Sequence, residues 1–159
     1  MAKHSVLFVC LGNICRSTMA EGIFINLVKE RGIMNEWEID SAATSTYEIG
    51  EPPDDRTMTV LSRHNIQDYS HFARQIRTED YTKFEFIFGM DESNIRNIKH
   101  MSPRNSTASI NLLGSFSGDK QKIIQDPYYS HNLTAFEKVY EQCLQSCKGF
   151  LDHVYQQNG

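Results

Sequence analysis

Within Val9-Cys10-Leu11-Gly12-Asn13-Ile14-Cys15-Arg16-Ser17, a cysteine and an arginine stand with five residues between them, and no other part of the sequence is better suited to chemistry. The backbone between Cys10 and Arg16 can wrap once around a tetrahedral anion. Amide N–H groups, a guanidinium and a sulfur then converge on one phosphorus. The loop lies directly behind an apolar run and directly ahead of a helical pattern. The Cys10 sulfur should therefore sit in a cup of amides at a helix N-terminus, where amides and helix dipole both favour its thiolate. Arg16 offers a planar fork for two phosphate oxygens, which a lysine, as a point charge, does not. Ser17 can donate its hydroxyl to the sulfur, and Gly12 and Asn13 are residue types that tolerate positive φ in a tight loop. A strand-end cysteine is otherwise a small buried hydrophobe, and the spacing alone recurs by chance. It is the strand before, the helix after and Gly-Asn inside that favour a catalytic reading. No Gly-Lys-Ser/Thr follows and no G-x-G-x-x-G occurs, so this is not a nucleotide-binding loop of either familiar kind.

The elements that must hold this loop alternate. Residues 5–9 (Ser-Val-Leu-Phe-Val) are apolar without alternation and predict a central parallel strand covered on both faces. Thr18-Met19-Ala20-Glu21 has capping-box spacing, and Met19, Ile23, Phe24, Leu27 and Val28 continue at helical intervals to a stop at Arg31-Gly32. Residues 37–41 read as a second strand. Glu51-Pro52-Pro53-Asp54-Asp55 breaks the chain before a helix carrying Met58, Val60 and Leu61. Residues 84–88 predict a third strand, followed by a short helix with Ile95 and Ile98, and residues 110–113 a fourth. Leu133, Phe136, Tyr140, Cys143, Leu144, Cys147, Phe150, Leu151 and Val154 form one stripe of a long last helix. Strands alternating with helices imply an α/β protein with a parallel sheet and helices on both faces. Ligands in such sheets collect at the carboxyl ends of strands, where the loop at Cys10 lies.

With 159 residues, 40% of them hydrophobic, the chain fits one domain spanning residues 1–159 and leaves little room for two. A formal charge of −4 gives no general attraction for nucleic acid or an anionic membrane, so an anion site must be local. The N-terminal residues lack a signal-peptide layout and the apolar runs are too short to cross a bilayer, which predicts a cytoplasmic protein without membrane insertion. Cysteines stay reduced there, so Cys10, Cys15, Cys143 and Cys147 read as catalytic, redox or packing residues. Cys143 and Cys147 lie on the apolar stripe and are most simply core. A zinc site joining the two pairs is disfavoured, because the first pair belongs to a loop built for anions.

The run VCLGNICRS, with Met90-Asp91-Glu92-Ser93-Asn94 and Asp126-Pro127-Tyr128-Tyr129 downstream, resembles the low molecular weight protein tyrosine phosphatase family over nearly the whole chain, and its eukaryotic members most closely. The resemblance implies a flavodoxin-like, doubly wound fold with a four-stranded parallel sheet, and hydrolysis of phosphotyrosine and small aryl phosphates through a phosphocysteine, as in an acid phosphatase, with no cofactor or metal. Cys10 matches the nucleophile, Arg16 the phosphate clamp and Asp126 the general acid, within a phosphate loop of Leu11, Gly12, Asn13, Ile14, Cys15 and Ser17. The chemistry asks for that acid independently, since a phenolate leaves more easily with a proton and the same carboxyl can then activate water. Asn13, Ser41 and His71 match a hydrogen-bond network that supports the loop. Asp91 is placed to orient Arg16, or equally to cap a helix. Tyr128 and Tyr129 match an aromatic wall for the substrate ring, with Tyr47 on the opposite wall where many members carry tryptophan. Ala42 stands where glycine is common. The partners implied are phosphotyrosyl proteins, and tyrosine kinases acting on Tyr128 and Tyr129. The resemblance further implies a reversible Cys10–Cys15 disulfide, which would shield the nucleophile from irreversible oxidation.

Three rivals fit less well. A thiol-dependent arsenate reductase needs further cysteines near the loop, and none lies between Cys15 and Cys143. Arginine phosphatases of this kind typically carry threonine where Ile14 stands. A non-catalytic phosphotyrosine-binding module predicts loss of the nucleophile, clamp or acid, and all three are present.

Overall fold

A computed structural model describes residues 2–157 of the chain. The first apolar run forms β1 (His4–Cys10), whose side chains alternate between two cores: Val6 and Phe8 enter one, Leu7 and Val9 the other. Such a strand is stable only with helices on both faces. It pairs in parallel with β2 (Trp37–Ala43) on one side and with β3 (Phe86–Gly89) on the other, and β3 pairs with β4 (Ser109–Leu112). The order β2-β1-β3-β4 makes β1 central and puts the reversal of winding between β1 and β3. That is the predicted four-stranded, doubly wound sheet.

Beyond the loop, α1 (Arg16–Glu30) begins three residues earlier than the capping-box spacing suggests. Cys15 occupies the N-cap without a side-chain cap, and the Thr18 hydroxyl donates instead to the Cys15 carbonyl at 3.1 Å. Glu21, expected to reach back to the cap, is buried at 5% exposure and bonded to other elements. A carboxyl that can find two hydroxyls inside the fold gains more there than at a solvated helix end. The stop falls where expected: Gly32 takes φ +71°, its N–H donates to Lys29 and that of Ile33 to Val28, which satisfies the last carbonyls.

β2 runs to Ala43, two residues past the expected end. α2 (Asp55–Arg63) follows the proline break, with the Asp54 carboxylate accepting from the Arg56 N–H as its cap. A short helix, α3 (Asp80–Lys83), takes the chain into what reads as the start of the third strand. Phe84 closes α3 with its N–H on the Asp80 carbonyl and packs into the core, so β3 begins only at Phe86. α4 (Glu92–His100) and α5 (Thr134–Gln157) complete the fold. α1, α2 and α5 cover one face around Phe8, Phe24, Trp37, Phe88 and Phe150, with Phe150 packed edge-on at 4.8 Å to both Phe86 and Phe88. α3 and α4 cover the other through Tyr81, Phe84 and Ile98. Cys143 and Cys147 lie fully buried in the first core. Gly149 lets α5 approach the 3-10 turn Leu113–Phe116 so closely that a Cβ would stand 1.8 Å from the Phe116 carbonyl oxygen. Among the described residues no helix is long and apolar enough to cross a membrane.

Candidate active site

The carboxyl end of β1 delivers Cys10 into the turn that precedes α1. Its sulfur receives the Asn13 backbone N–H at 3.3 Å and shares a hydrogen bond of 3.1 Å with the Ser17 hydroxyl. Hydrogen bonds to a sulfur favour its charged form. Asn13 alone carries the left-handed conformation of the turn, at φ 60°; Gly12, the other residue expected to supply positive φ, does not adopt it. Gly12 instead lies beneath Glu48, whose Cγ would be 3.4 Å from a Cβ there. Among the described residues, the backbone N–H groups of Gly12, Ile14 and Cys15 have no acceptor within the protein. Converging free amides at a helix N-terminus suit an oxyanion. Burial, reinforced by Asp54, pushes the Cys15 thiol up, so it stays protonated.

Arg16 is 2% exposed and is aimed by two groups. Its Nη1 donates to Asp91 at 2.6 Å and to the Ile124 carbonyl at 2.9 Å. Asp91 divides its two oxygens, Oδ2 taking Arg16 while Oδ1 accepts the Asn94 N–H as the cap of α4. Orienting the arginine and capping the helix are thus compatible. Asp126 comes from the irregular segment after β4 and lies with Oδ2 3.8 Å from Arg16 Nη2, its Oδ1 accepting the Tyr128 N–H at 3.1 Å.

Behind the loop runs a buried polar network. The Asn13 side-chain amide donates to Ser17 at 2.8 Å and to Ser41 at 2.9 Å, and its oxygen accepts from His71 Nε2 at 2.8 Å. The resemblance implies a network of Asn13, Ser41 and His71, and the fold brings the three together. Their anchor, Glu21, is not apparent in the sequence: its Oε1 accepts from Ser41 Oγ and from Tyr69 OH, both at 2.6 Å, and lies 3.5 Å from His71 Nδ1. Burial pushes the Glu21 carboxyl up to about 7 and pulls the His71 imidazole down. Both lean towards neutrality, as groups removed from water do.

A cleft of about 100 Å³ opens over Cys10, with Arg16, Ile14, Cys15, Asp126 and Glu48 in its lining. Tyr47, Tyr128 and Tyr129 line it as well, the latter two in edge contact at 5.0 Å. Tyr47 is 78% and Tyr129 84% exposed, so both present free ring faces. Glu48, Asp54 and Arg56 also border the site without having stood out in the sequence; the only signal, Asp-x-Arg beside a proline break, is common at helix starts.

The family described as low molecular weight phosphotyrosine protein phosphatase matches residues 5–158. The chain belongs to it. A mouse low molecular weight phosphotyrosine protein phosphatase is 52% identical over 157 residues, covering 98% of each chain. Among solved structures, Primo-1 superposes with a TM-score of 0.89 at 36% identity, covering 96% of this chain and 99% of its own. A Drosophila arginine phosphatase has a TM-score of 0.89 at 39% identity, covering 94% and 96%. The four-stranded parallel sheet with helices on both faces is the fold of these low molecular weight phosphatases.

Proposed function

We propose that this chain is a protein tyrosine phosphatase that hydrolyses phosphotyrosyl proteins and small aryl phosphates through a phosphocysteine on Cys10. One observation carries the reading: a sulfur held by an N–H and a hydroxyl lies at the floor of a cleft that also holds a fixed guanidinium, a carboxyl and tyrosine rings. The Cys10 thiolate attacks phosphorus while the bond to the aryl oxygen breaks, and Asp126 gives its proton to the departing phenolate. Arg16 and the loop amides hold the equatorial oxygens as the phosphorus inverts. Asp126, now a carboxylate, takes a proton from water as that water attacks the phosphocysteine. Inorganic phosphate leaves and the thiolate is restored. Ser17 stabilises the sulfur at both stages, as nucleophile and as leaving group.

Cys15, its thiol pushed up by burial, stays protonated and does not compete as nucleophile. It is the partner for a protective disulfide with Cys10 under peroxide. The full burial of Cys143 and Cys147 counts against an arsenate reductase, which must pass electrons outward through cysteines. We place the enzyme in the cytoplasm, where four free thiols persist. Tyr129 and Tyr128 lie open to tyrosine kinases at the cleft rim.

An arginine phosphatase stands among the solved neighbours, and phosphoarginine is the second substrate to test. Apolar Ile14 and the tyrosine rim favour an aryl ring over a charged guanidinium. The deciding experiment offers peptides carrying phosphotyrosine, phosphoarginine or phosphoserine to the wild-type enzyme and to Cys10→Ser, with acid quenching. Turnover of phosphotyrosine, a trapped phosphoenzyme, and loss of both in Cys10→Ser are expected. Activity surviving in Cys10→Ser, or preference for phosphoarginine, overturns the assignment.

A further inference from the structure

Arg56, the second residue of α2, lies outside the cleft lining yet joins the two segments that must act together. Its Nε and Nη2 grip both oxygens of Asp54 at 2.9 Å. Its Nη1 donates to the Ser130 carbonyl at 2.8 Å and its Nη2 to the Tyr128 carbonyl at 3.0 Å. The guanidinium also lies 4.4 Å over the Phe136 ring of α5. Asp54 in turn is tied to the phosphate loop, with its N–H donating to the Ile14 carbonyl at 2.8 Å. Arg56 beside it holds that carboxyl below the usual carboxylate range.

Asp126 needs such help. It sits in an irregular segment anchored upstream at buried Ile124, whose N–H donates to the Met90 carbonyl at 2.9 Å and whose carbonyl accepts from Arg16; beyond Asp126 the internal ties are the turns from Tyr128 N–H to Asp126 and from Ser130 N–H to the Pro127 carbonyl. Neither turn fixes the segment relative to Cys10. We propose that Arg56 is a positioning residue for the proton-transfer step: by holding the Tyr128 and Ser130 carbonyls against Asp54, and Asp54 against Ile14, it sets the place of Asp126 over the Cys10 sulfur. The inference rests on the assignment of Asp126 as general acid. Only a five-donor planar group can grip a carboxylate with two prongs and two carbonyls at once. Lysine would lose the fork, and methionine would leave two carbonyls and a largely buried carboxylate without their partner.

The test compares wild-type, Arg56→Met, Arg56→Lys and Asp126→Asn on two substrates. A phosphotyrosyl peptide has a leaving group that needs a proton, and 2,4-dinitrophenyl phosphate has one that does not. Inhibition by inorganic phosphate reports on the phosphate loop, and thermal melting reports on the fold. Misplacing a catalytic group by about 1 Å costs roughly a hundredfold, so Arg56→Met should lose about ten- to a hundredfold in kcat/KM on the peptide, the parameter that ends at phosphocysteine formation and leaves out the water step common to both substrates. Its kcat/KM on the dinitrophenyl ester and its phosphate inhibition should stay close to wild type, with Arg56→Lys between. Equal losses on the two substrates, weakened phosphate inhibition to match, or unchanged kinetics overturn the positioning role. If Arg56→Met does not fold, Arg56→Lys decides by the same criterion. A leaving-group bias in Asp126→Asn without one in the Arg56 variants sinks this inference alone. Absence of bias in Asp126→Asn sinks the acid assignment, and this inference with it.

Discussion

Glu21→Gln is a stability experiment on the network that props up the phosphate loop. Burial raises the Glu21 carboxyl from 4.5 to about 7 even though the Ser41 and Tyr69 hydroxyls, which it accepts, oppose the shift. A folded-state value above the unfolded one means the folded protein holds the proton more tightly. The contribution of Glu21 is therefore fully present below about 4.5 and is lost as pH rises through about 7. At about 1.4 kcal/mol per pH unit the shift corresponds to about 3 kcal/mol. Glutamine keeps the shape and an oxygen able to accept from Ser41 and Tyr69, but it carries no titrating proton. The His71 imidazole, pulled down by burial, works in the opposite sense: its contribution is present above its ordinary value of 6.5 and is lost as pH falls through its lowered one. Both chains contain His71, so to first order it cancels in the difference between them. Urea unfolding of the two proteins from pH 4.5 to 7.5 should show Glu21→Gln gaining on the wild type by about 3 kcal/mol across that interval. A difference that stays constant with pH would refute the reasoning, because Glu21 would then hold its proton no more tightly in the fold than outside it.

Three further outcomes follow from single contacts. Arg16→Lys keeps the charge but loses the fork aimed by Asp91 and Ile124, and should lower kcat on an aryl phosphate by about 10² to 10³; near-normal steady-state kinetics would contradict the clamp. Asn13→Ala should be less stable than Asn13→Gly by about 1 kcal/mol, since both lose the amide's hydrogen bonds but only alanine pays for φ near 60°; equal urea midpoints would remove the strain argument. Gly149→Ala would force α5 and the Leu113–Phe116 turn apart, costing about 3 kcal/mol or roughly 6–12 °C in Tm by calorimetry, and an unchanged Tm would mean that the close approach is soft.

Local patterns and long-range partners were unequally legible in the sequence. β1, the turn with Cys10 and Arg16, and the stripe of α5 each leave a continuous signature: an unbroken apolar run, a fixed spacing, a helical period. Glu21 misleads because Thr-x-x-Glu is also a capping pattern, and only the arrival of Ser41 from β2 and of Tyr69 makes the interior the better place for its carboxyl. Phe84 reads as strand because it is aromatic among aromatics. The four-residue α3 before it is too short to show a period, and it is held instead by Asp80, which Arg74 grips with two nitrogens. Asp54 and Arg56 look like an exposed pair at a helix start, and nothing nearby in sequence reveals that Tyr128 and Ser130 complete the set. Gly12 and Asn13 are both residue types that permit positive φ, and Asn13 alone adopts it, because the choice depends on where the Asn13 amide must reach.

The distribution of the site along the chain follows from the sheet. All four strands are parallel, so their carboxyl ends open on one edge, and each gives a different loop to it. β1 supplies Cys10 and the amides, the chain after β2 supplies Tyr47 and Glu48, the turn after β3 supplies Asp91, and the segment after β4 supplies Ile124 and Asp126. Arg16 is where these meet, because one nitrogen of its guanidinium takes the β3 turn and the β4 segment together while the residue itself opens α1. The phosphate loop is held by its hydrogen bonds to Ser41 and His71, whereas the segment after β4 is anchored at Ile124, to Met90 and Arg16, and beyond Asp126 by Arg56. Oxyanion binding and proton delivery are therefore mechanically separable here. A change in the β4 segment or its tethers should alter how well a poor leaving group departs while the grip on phosphate persists. A change behind the loop should weaken both at once.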